Sequence, residues 1–191
     1  REPVSYPLEL LSEQLIKLRG GPKFSPEGTV VAPTLEALDL NRVQVKTFDL
    51  IHSERCLQAV REVNPWLGIS VGAPILLDKL FSIPERGTLN LHKSMLPNYR
   101  GMPARFWELH DGSGTSGASV HWMAKGLDTG DLIHQKSLAI DPFASCGGLS
   151  GSLDQLGTEV LIETLQLINS DTEQSVPQGQ GDTPTRSKPA F

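Results

Sequence analysis

Apolar residues along the chain follow two spacings, one typical of helices and one typical of strands. Residues 8–18 and 153–168 carry leucine-rich stripes at intervals of three and four, which predict two amphipathic helices. A third helix is predicted over 53–63, where Ser53-Glu54 forms a capping pair and Asn64-Pro65 stops the pattern. Shorter helices are expected over 74–81, with Pro74 in its first turn, and over 103–109.

Strand patterns lie between these helices. Residues 43–48 alternate apolar and polar positions, and 66–71 form a short apolar run of the kind buried in a parallel sheet. Further strands are expected over 88–92, 116–123 and 132–137. This alternation predicts an α/β fold, a Rossmann-like three-layer sandwich with a mostly parallel sheet. The usual first strand is not evident before Leu8, so we expect the amino-terminal strand to be missing or unusual.

The end of the chain has a different composition from the rest. Gly, Gln, Pro, Asp and Ser dominate beyond Ser170, which is typical of an extended linker. We therefore expect one domain over residues 1–170 and a tail over 171–191 that leads toward a carboxyl-terminal domain. The chain begins with neither Met nor a signal-peptide pattern, so its numbering is expected to start inside a longer gene product.

Composition excludes several classes of function. The 191 residues carry 17 Lys and Arg against 22 Asp and Glu, a net charge of −5, and show no basic patch for nucleic acid. The apolar runs are far too short to span a membrane. Two cysteines, Cys56 and Cys146, have neither zinc spacing nor a disulfide framework, and a reducing cytoplasm is the expected location. We predict no metal site and no phosphate loop.

Candidate chemistry lies at the end of the strand over 88–92. Asn90 and His92 are two residues apart, so their side chains emerge on one face and offer two hydrogen-bond donors to a developing oxyanion. Asp128 follows a neighbouring strand and is placed to accept a proton or to hold an imidazolium. The three residues also fit a structural interpretation, as a turn former, a surface histidine and the start of a tight turn. Spacing alone leaves both interpretations open.

Two motifs change the balance. Residues 90–101 read NLHKSMLPNYRG, and residues 117–133 read GASVHWMAKGLDTGDLI. In this order they resemble the signatures of the folate-dependent formyltransferase family, and the resemblance extends from about residue 43 to residue 168. It implies the formyltransferase fold, with Asn90 holding the formyl oxygen and His92 stabilising the tetrahedral intermediate. Asp128 would keep His92 charged and move a proton from the attacking amine.

The resemblance also implies a site for 10-formyltetrahydrofolate as the formyl donor. An apolar slot with exposed backbone groups suits a flat pterin, whose edge bonds to main-chain N–H and C=O groups. For Ile75, Leu76 and Phe81, simple helix packing remains the alternative. The residues that map onto the family's folate pocket are Gly72, Ala73, Pro74, Ile75, Leu76 and Phe81, together with Met123, Ala124 and Lys125.

Four further residues are assigned supporting roles. His121 matches the family pattern, although strand histidines are often structural. Ser94 is expected to bond the loop or to line the site, and Pro97 and Gly101 to fix the loop's shape.

The acceptor of the formyl group is less clearly indicated. A small or sugar-linked primary amine is the leading prediction, because residues 101–107 depart from the continuation common in the tRNA enzymes of the family. Methionyl-tRNA remains an alternative, and tRNA would require a further domain. Water as the acceptor would make the protein a formyltetrahydrofolate hydrolase. The missing amino-terminal elements also leave open a catalytically silent folate-binding domain.

Overall fold

The computed structural model describes residues 46–103 and 105–187. The predicted helix over 8–18 lies outside these residues, as do positions 43–45 of the first predicted strand, whereas 46–48 are not in a strand. None of the helices in the described part of the chain is long and apolar enough to cross a membrane. In chain order the elements are α1 (Glu54–Val63), β1 (Gly68–Val71), α2 (Asp78–Phe81), β2 (Thr88–His92), α3 (Phe106–His110), β3 (Thr115–Trp122), β4 (Leu132–Ala139) and α4 (Cys146–Asn169).

The four strands form one mixed sheet in the order β1-β2-β3-β4. β1 and β2 are parallel, whereas β2 with β3 and β3 with β4 are antiparallel. The expected mostly parallel sheet is therefore wrong for the described strands. The physical reason is clearest between β3 and β4, where residues 123–131 are too few for the dozen or so that a parallel crossover takes. The α/β class is confirmed.

Helix α4 supplies the main packing surface for the sheet. Its buried positions recur at intervals of three and four residues, and the helix lies against β2, β3 and β4. The hydrophobic effect of burying this stripe accounts for the stability of the helix, because its first turns contain three glycines that disfavour it. The buried core that α4 and the sheet share consists of Leu89, Leu91, Ala118, Val120, Val160 and Ile168.

The local signals at helix ends explain both agreements and differences. Ser53 caps α1, its hydroxyl accepting from the Cys56 N–H, and Asn64 ends the helix in a left-handed conformation, as the sequence predicts. Helix α2 begins only at Asp78, so the prediction of a helix from Pro74 is wrong. Because residues 74–77 lack helical hydrogen bonds, they remain an extended segment after β1.

The polar stretch after α4 follows the surface of the domain. Val176 exchanges two backbone hydrogen bonds with Leu132 at the start of β4. Ten residues later, Arg186 bonds through its backbone to Arg100 and Met102. This stretch therefore runs across the edge of the domain where the loops after β2 and β3 lie.

The burial pattern of α4 generates a stability prediction. Leu153 is fully buried, whereas Ile162 in the same helix is 50% exposed. We expect Leu153→Ala to lower the free energy of unfolding by about 2–5 kcal/mol, because it removes buried methyl groups and leaves a cavity. Ile162→Ala, the matched control, should cost less than about 1.5 kcal/mol. Urea unfolding of both variants measures the difference, and equal losses would contradict this packing.

Candidate active site

Strand β2 presents a core face and a polar face. Leu89 and Leu91 point into the core beneath α4, so Asn90 and His92 point to the opposite side of the sheet. In β3, His121 pairs with Asn90 and Ser119 pairs with His92, which places all four side chains on the same face. The predicted emergence of Asn90 and His92 on one face is thus observed.

Asp128 joins this group from the connection between β3 and β4. Its backbone adopts a left-handed conformation with φ of 52°, which Asp tolerates better than most residues. One carboxylate oxygen lies 3.4 Å from the amide nitrogen of Asn90, and the other lies 3.6 Å from Nδ1 of His92. The Gly101 backbone N–H donates to that second oxygen at 2.8 Å. The structure therefore brings Asn90, His92 and Asp128 together from separate segments.

The two ring nitrogens of His92 have different surroundings. Nε2 lies 2.9 Å from the carbonyl oxygen of Tyr99, which only accepts hydrogen bonds, so Nε2 carries a proton. Nδ1 faces the carboxylate of Asp128 at 3.6 Å. Because the His92 side chain is only 7% exposed and that of Asp128 10%, their interaction is little screened by solvent.

The ionisation of Asp128 is controlled by its neighbours. Burial alone raises the pKa of the carboxyl, since it disfavours the charged form. The contact with His121, the charge of His92 and the backbone N–H of Gly101 together outweigh burial and lower the pKa below its usual value. Asp128 is thus held as a carboxylate beside His92.

Two predicted supporting residues contact the site differently. His121 is buried, and its Nε2 lies 3.2 Å from the Asn90 amide nitrogen and 3.7 Å from Asp128. It therefore touches two of the three candidate catalytic residues. Ser94 is fully buried and donates to Glu108, so it bonds the loop rather than lining an open site.

Pro97 and Gly101 lie in the loop between β2 and α3. The φ of Gly101 is +91°, and a side chain there would collide with the backbone of Arg186, so glycine is required. The Pro97 carbonyl oxygen would meet a Cβ added at Gly181. Both residues lie where the loop and the carboxyl-terminal stretch approach closely.

The two segments predicted to form the folate slot lie next to each other. Asp78, next to the first segment, lies 3.6 Å from Nζ of Lys125 in the second. Phe81 and Met123 border a pocket of about 220 Å³ that Trp122 also lines. Ile75 is 70% exposed, and Gly72 has a φ of +61°. The remaining predicted residues, Ala73, Pro74, Leu76 and Ala124, are half-buried or exposed along these segments.

His52 has a role that its sequence position does not indicate. Its Nε2 accepts a hydrogen bond from the Leu77 backbone at 2.9 Å, and Lys79 donates to its carbonyl oxygen. Burial and the charge of Lys79 lower the pKa of His52, which keeps Nε2 available as an acceptor. His52 therefore anchors the segment between β1 and α2.

Sequence reasoning also missed three groups that shape the site. The Tyr99 carbonyl contacts His92, a backbone role that no side-chain pattern reveals. Ser119 donates to the Ser94 carbonyl and accepts from the Leu96 N–H. Glu108 is fully buried and accepts from Ser94 and Ser116 through one oxygen, while its other oxygen has no partner among the described residues. A lone acidic residue in the apolar segment 106–109 was the available signal.

Other reactive groups lie apart from this site. Burial raises the pKa of the Cys56 thiol, which makes it a poor nucleophile. Across residues 46–103 and 105–187, His, Cys, Asp and Glu side chains nowhere gather in a group of three that could hold a metal ion.

The amino-acid sequence of this chain is similar to those of known proteins. The sequence model of the family described as "Formyl transferase" matches residues 41–165. Methionyl-tRNA formyltransferase of Acetivibrio thermocellus is 31% identical over 158 residues, which cover 82% of this chain and 51% of the relative. This chain therefore spans about half the length of that curated relative.

Solved structures agree on the fold. The formyltransferase PseJ from Anoxybacillus kamchatkensis, in complex with a UDP-linked formamido sugar and tetrahydrofolate, superposes with a TM-score of 0.54 and 26% identity over 60% of this chain and 61% of that one. Phosphoribosylglycinamide formyltransferase from Bacillus halodurans gives a TM-score of 0.63 at 19% identity, covering 74% and 77% of the two chains. The second similarity concerns the fold alone.

The lowered pKa of Asp128 predicts a pH-dependent contribution to stability. A carboxyl whose pKa falls on folding stabilises the protein above its unfolded pKa of about 3.9 and loses that contribution as the pH falls through the folded value. We expect the unfolding free energies of the wild type and Asp128→Asn to differ more at about pH 6 than at about pH 3. Urea unfolding at both values measures this, and a difference independent of pH would contradict it.

Proposed function

Because this chain belongs to the formyl transferase family, as its two motifs predict, we propose that it transfers a formyl group from 10-formyltetrahydrofolate to a primary amine. The acceptor we propose is a small or sugar-linked amine. The observation that carries the proposal is the convergence of Asn90 and His92 on the carboxylate of Asp128, within 3.4 and 3.6 Å. These groups match the needs of attack on a formyl carbon.

The reaction requires stabilisation of negative charge on the formyl oxygen. When the amine attacks the formyl carbon, the oxygen becomes an oxyanion, and the amide N–H of Asn90 and the Nδ1–H of protonated His92 are suitable donors. Asp128 accepts the proton that the attacking amine loses. The bond from the formyl carbon to folate N10 then breaks, and N10 takes this proton from Asp128, which returns to the carboxylate.

The donor would bind along the segments on either side of the site. The exposed Ile75 and the Asp78–Lys125 contact mark an open surface between residues 72–78 and 123–125. Apolar surface with accessible backbone suits a pterin ring. The crystal structure of the similar formyltransferase PseJ contains tetrahydrofolate, which supports a folate donor for this chain.

The choice of acceptor rests on two observations. The net charge of −5 disfavours binding of tRNA by this chain alone, and PseJ is described with a sugar nucleotide. Methionyl-tRNA is the second candidate, because curated relatives at 31–36% identity are methionyl-tRNA formyltransferases. A tRNA acceptor would depend on a further domain, to which the tail over 171–191 would lead.

Substitution of the candidate catalytic residues tests the reaction. We expect His92→Ala and Asp128→Asn each to lower formyl transfer by about 10²–10⁴-fold, because each removes a charge-stabilising or proton-transfer group. Transfer is measured with 10-formyltetrahydrofolate and a panel of amino sugars, small amines and methionyl-tRNA. Calorimetric titration with 5-formyltetrahydrofolate, a stable analogue of the donor, checks that both variants still bind folate.

His110→Ala is the matched control. His110 is 60% exposed and lies in α3, so this variant should retain near-normal transfer. Near-normal transfer in His92→Ala and Asp128→Asn as well would overturn the proposed roles. Formate release without any amine would indicate the hydrolase, and folate binding without turnover would indicate a silent domain.

A further inference from the structure

Residues 176–187, here called the strap, lie across the two loops that carry the candidate site. These are the 93–101 loop after β2 and the 123–131 loop after β3. The strap is bonded through its backbone at both ends, by Val176 to Leu132 and by Arg186 to Arg100 and Met102. A segment held at two points by backbone hydrogen bonds has a fixed register over what lies beneath it.

Two half-buried strap side chains, Gln178 and Thr183, bond to the loops, whereas the half-buried Arg186 side chain bonds to Asp111 after α3. Gln180 and Thr185 are exposed, and their side chains make no hydrogen bond to the residues that the structure describes. Thr183 accepts from the Tyr99 N–H at 2.8 Å. The strap therefore contacts the loops through a few specific groups.

Within the strap, the Gln178 side chain is bonded to both loops. Its oxygen accepts from Nε and one terminal nitrogen of the Arg100 guanidinium at 3.3 and 3.0 Å, and its nitrogen donates to the Gly130 carbonyl at 2.5 Å. The side-chain amide of glutamine supplies both an acceptor and a donor at its end. The Arg100 guanidinium also donates to the Gly179 carbonyl, so the strap occupies it.

The bridged residues adjoin groups that touch the site. Arg100 lies between Tyr99, whose carbonyl contacts His92, and Gly101, whose N–H contacts Asp128. Gly130 is two residues after Asp128, and a side chain there would collide with the Trp122 backbone. Movement of the 123–131 loop would shift Asp128, and movement of the 93–101 loop would shift the Tyr99 and Gly101 groups that bond to His92 and Asp128.

We propose that Gln178 is a positioning residue that fixes the 93–101 and 123–131 loops relative to each other and so sets the His92–Asp128 geometry. This proposal rests on the proposed function for its kinetic consequence. Its structural basis, the Gln178 amide between Arg100 and Gly130, is independent of the acceptor. Gln178 acts through the loops, since its polar atoms bond to Arg100 and Gly130.

The test replaces Gln178 with a side chain of similar length that cannot hydrogen-bond. In the full chain, Gln178→Met should lower kcat by about 10–100-fold with KM for the donor changed less than about threefold, because a shift of about 1 Å at reacting groups has effects of this size. Gln180→Met, the same substitution two residues away on an exposed side chain, should leave both constants unchanged.

A spectroscopic readout separates positioning from a general loss of structure. With ¹⁵N-glycine labelling, the Gly101 amide signal reports its hydrogen bond to Asp128. We expect this signal to move in Gln178→Met and to stay in place in Gln180→Met. Thr183→Val should lower kcat, because it removes the acceptor of the Tyr99 N–H hydrogen bond in the 93–101 loop. Thr183→Ser keeps this acceptor oxygen and should have the kcat of the wild type.

The outcomes distinguish the two proposals. A wild type that transfers no formyl group overturns the proposed function, and the Gly101 signal then decides the positioning role by itself. Where the wild type is active, an unmoved Gly101 signal or a full kcat in Gln178→Met overturns the role of Gln178. An equal loss in Gln180→Met overturns it too, since the exposed Gln180 side chain makes no hydrogen bond to the described part of either loop.

Discussion

A carboxylate removed from water needs partners, and Asp128 obtains them from three different parts of the chain. Asn90 and His92 come from β2, His121 from β3, and the Gly101 N–H from the 93–101 loop. A buried charge without such partners would cost several kcal/mol. The requirement to satisfy this single carboxylate therefore brings two loops to the same face of the sheet.

One face of the sheet packs in the core, and the other face carries the candidate site. On one face, Leu89, Leu91, Ala118 and Val120 pack beneath α4. On the other face, the residues between them in sequence supply the polar groups of the site. Adjacent residues of a strand point to opposite faces of the sheet. Packing of the apolar residues in the core therefore also fixes which residues point to the polar face. A register slip in β2 would destroy the core and the site together.

Much of this arrangement could be predicted from local patterns, and the exceptions have physical reasons. The limits of β2 and the placement of Asn90 and His92 on one face follow from strict alternation, which depends on neighbouring residues alone. Strand direction does not, and the short connection over 123–131 was the signal for an antiparallel pair. The start of α4 at Cys146 was missed because its first turns are rich in glycine, and tertiary packing overrides that low propensity.

The carboxyl-terminal stretch shows a different limit of prediction. Its composition is typical of a linker, and its contacts are hydrogen bonds from the backbone, from Gln178 and from Thr183. Such contacts require no regular spacing of apolar residues in the sequence. A polar composition therefore does not distinguish a free tail from one that is hydrogen-bonded to the surface of the domain. Polar groups are also the ones that can satisfy the open backbone groups of two loops. The same composition that favours an extended chain in solution thus suits a segment that lies over the loops around His92 and Asp128.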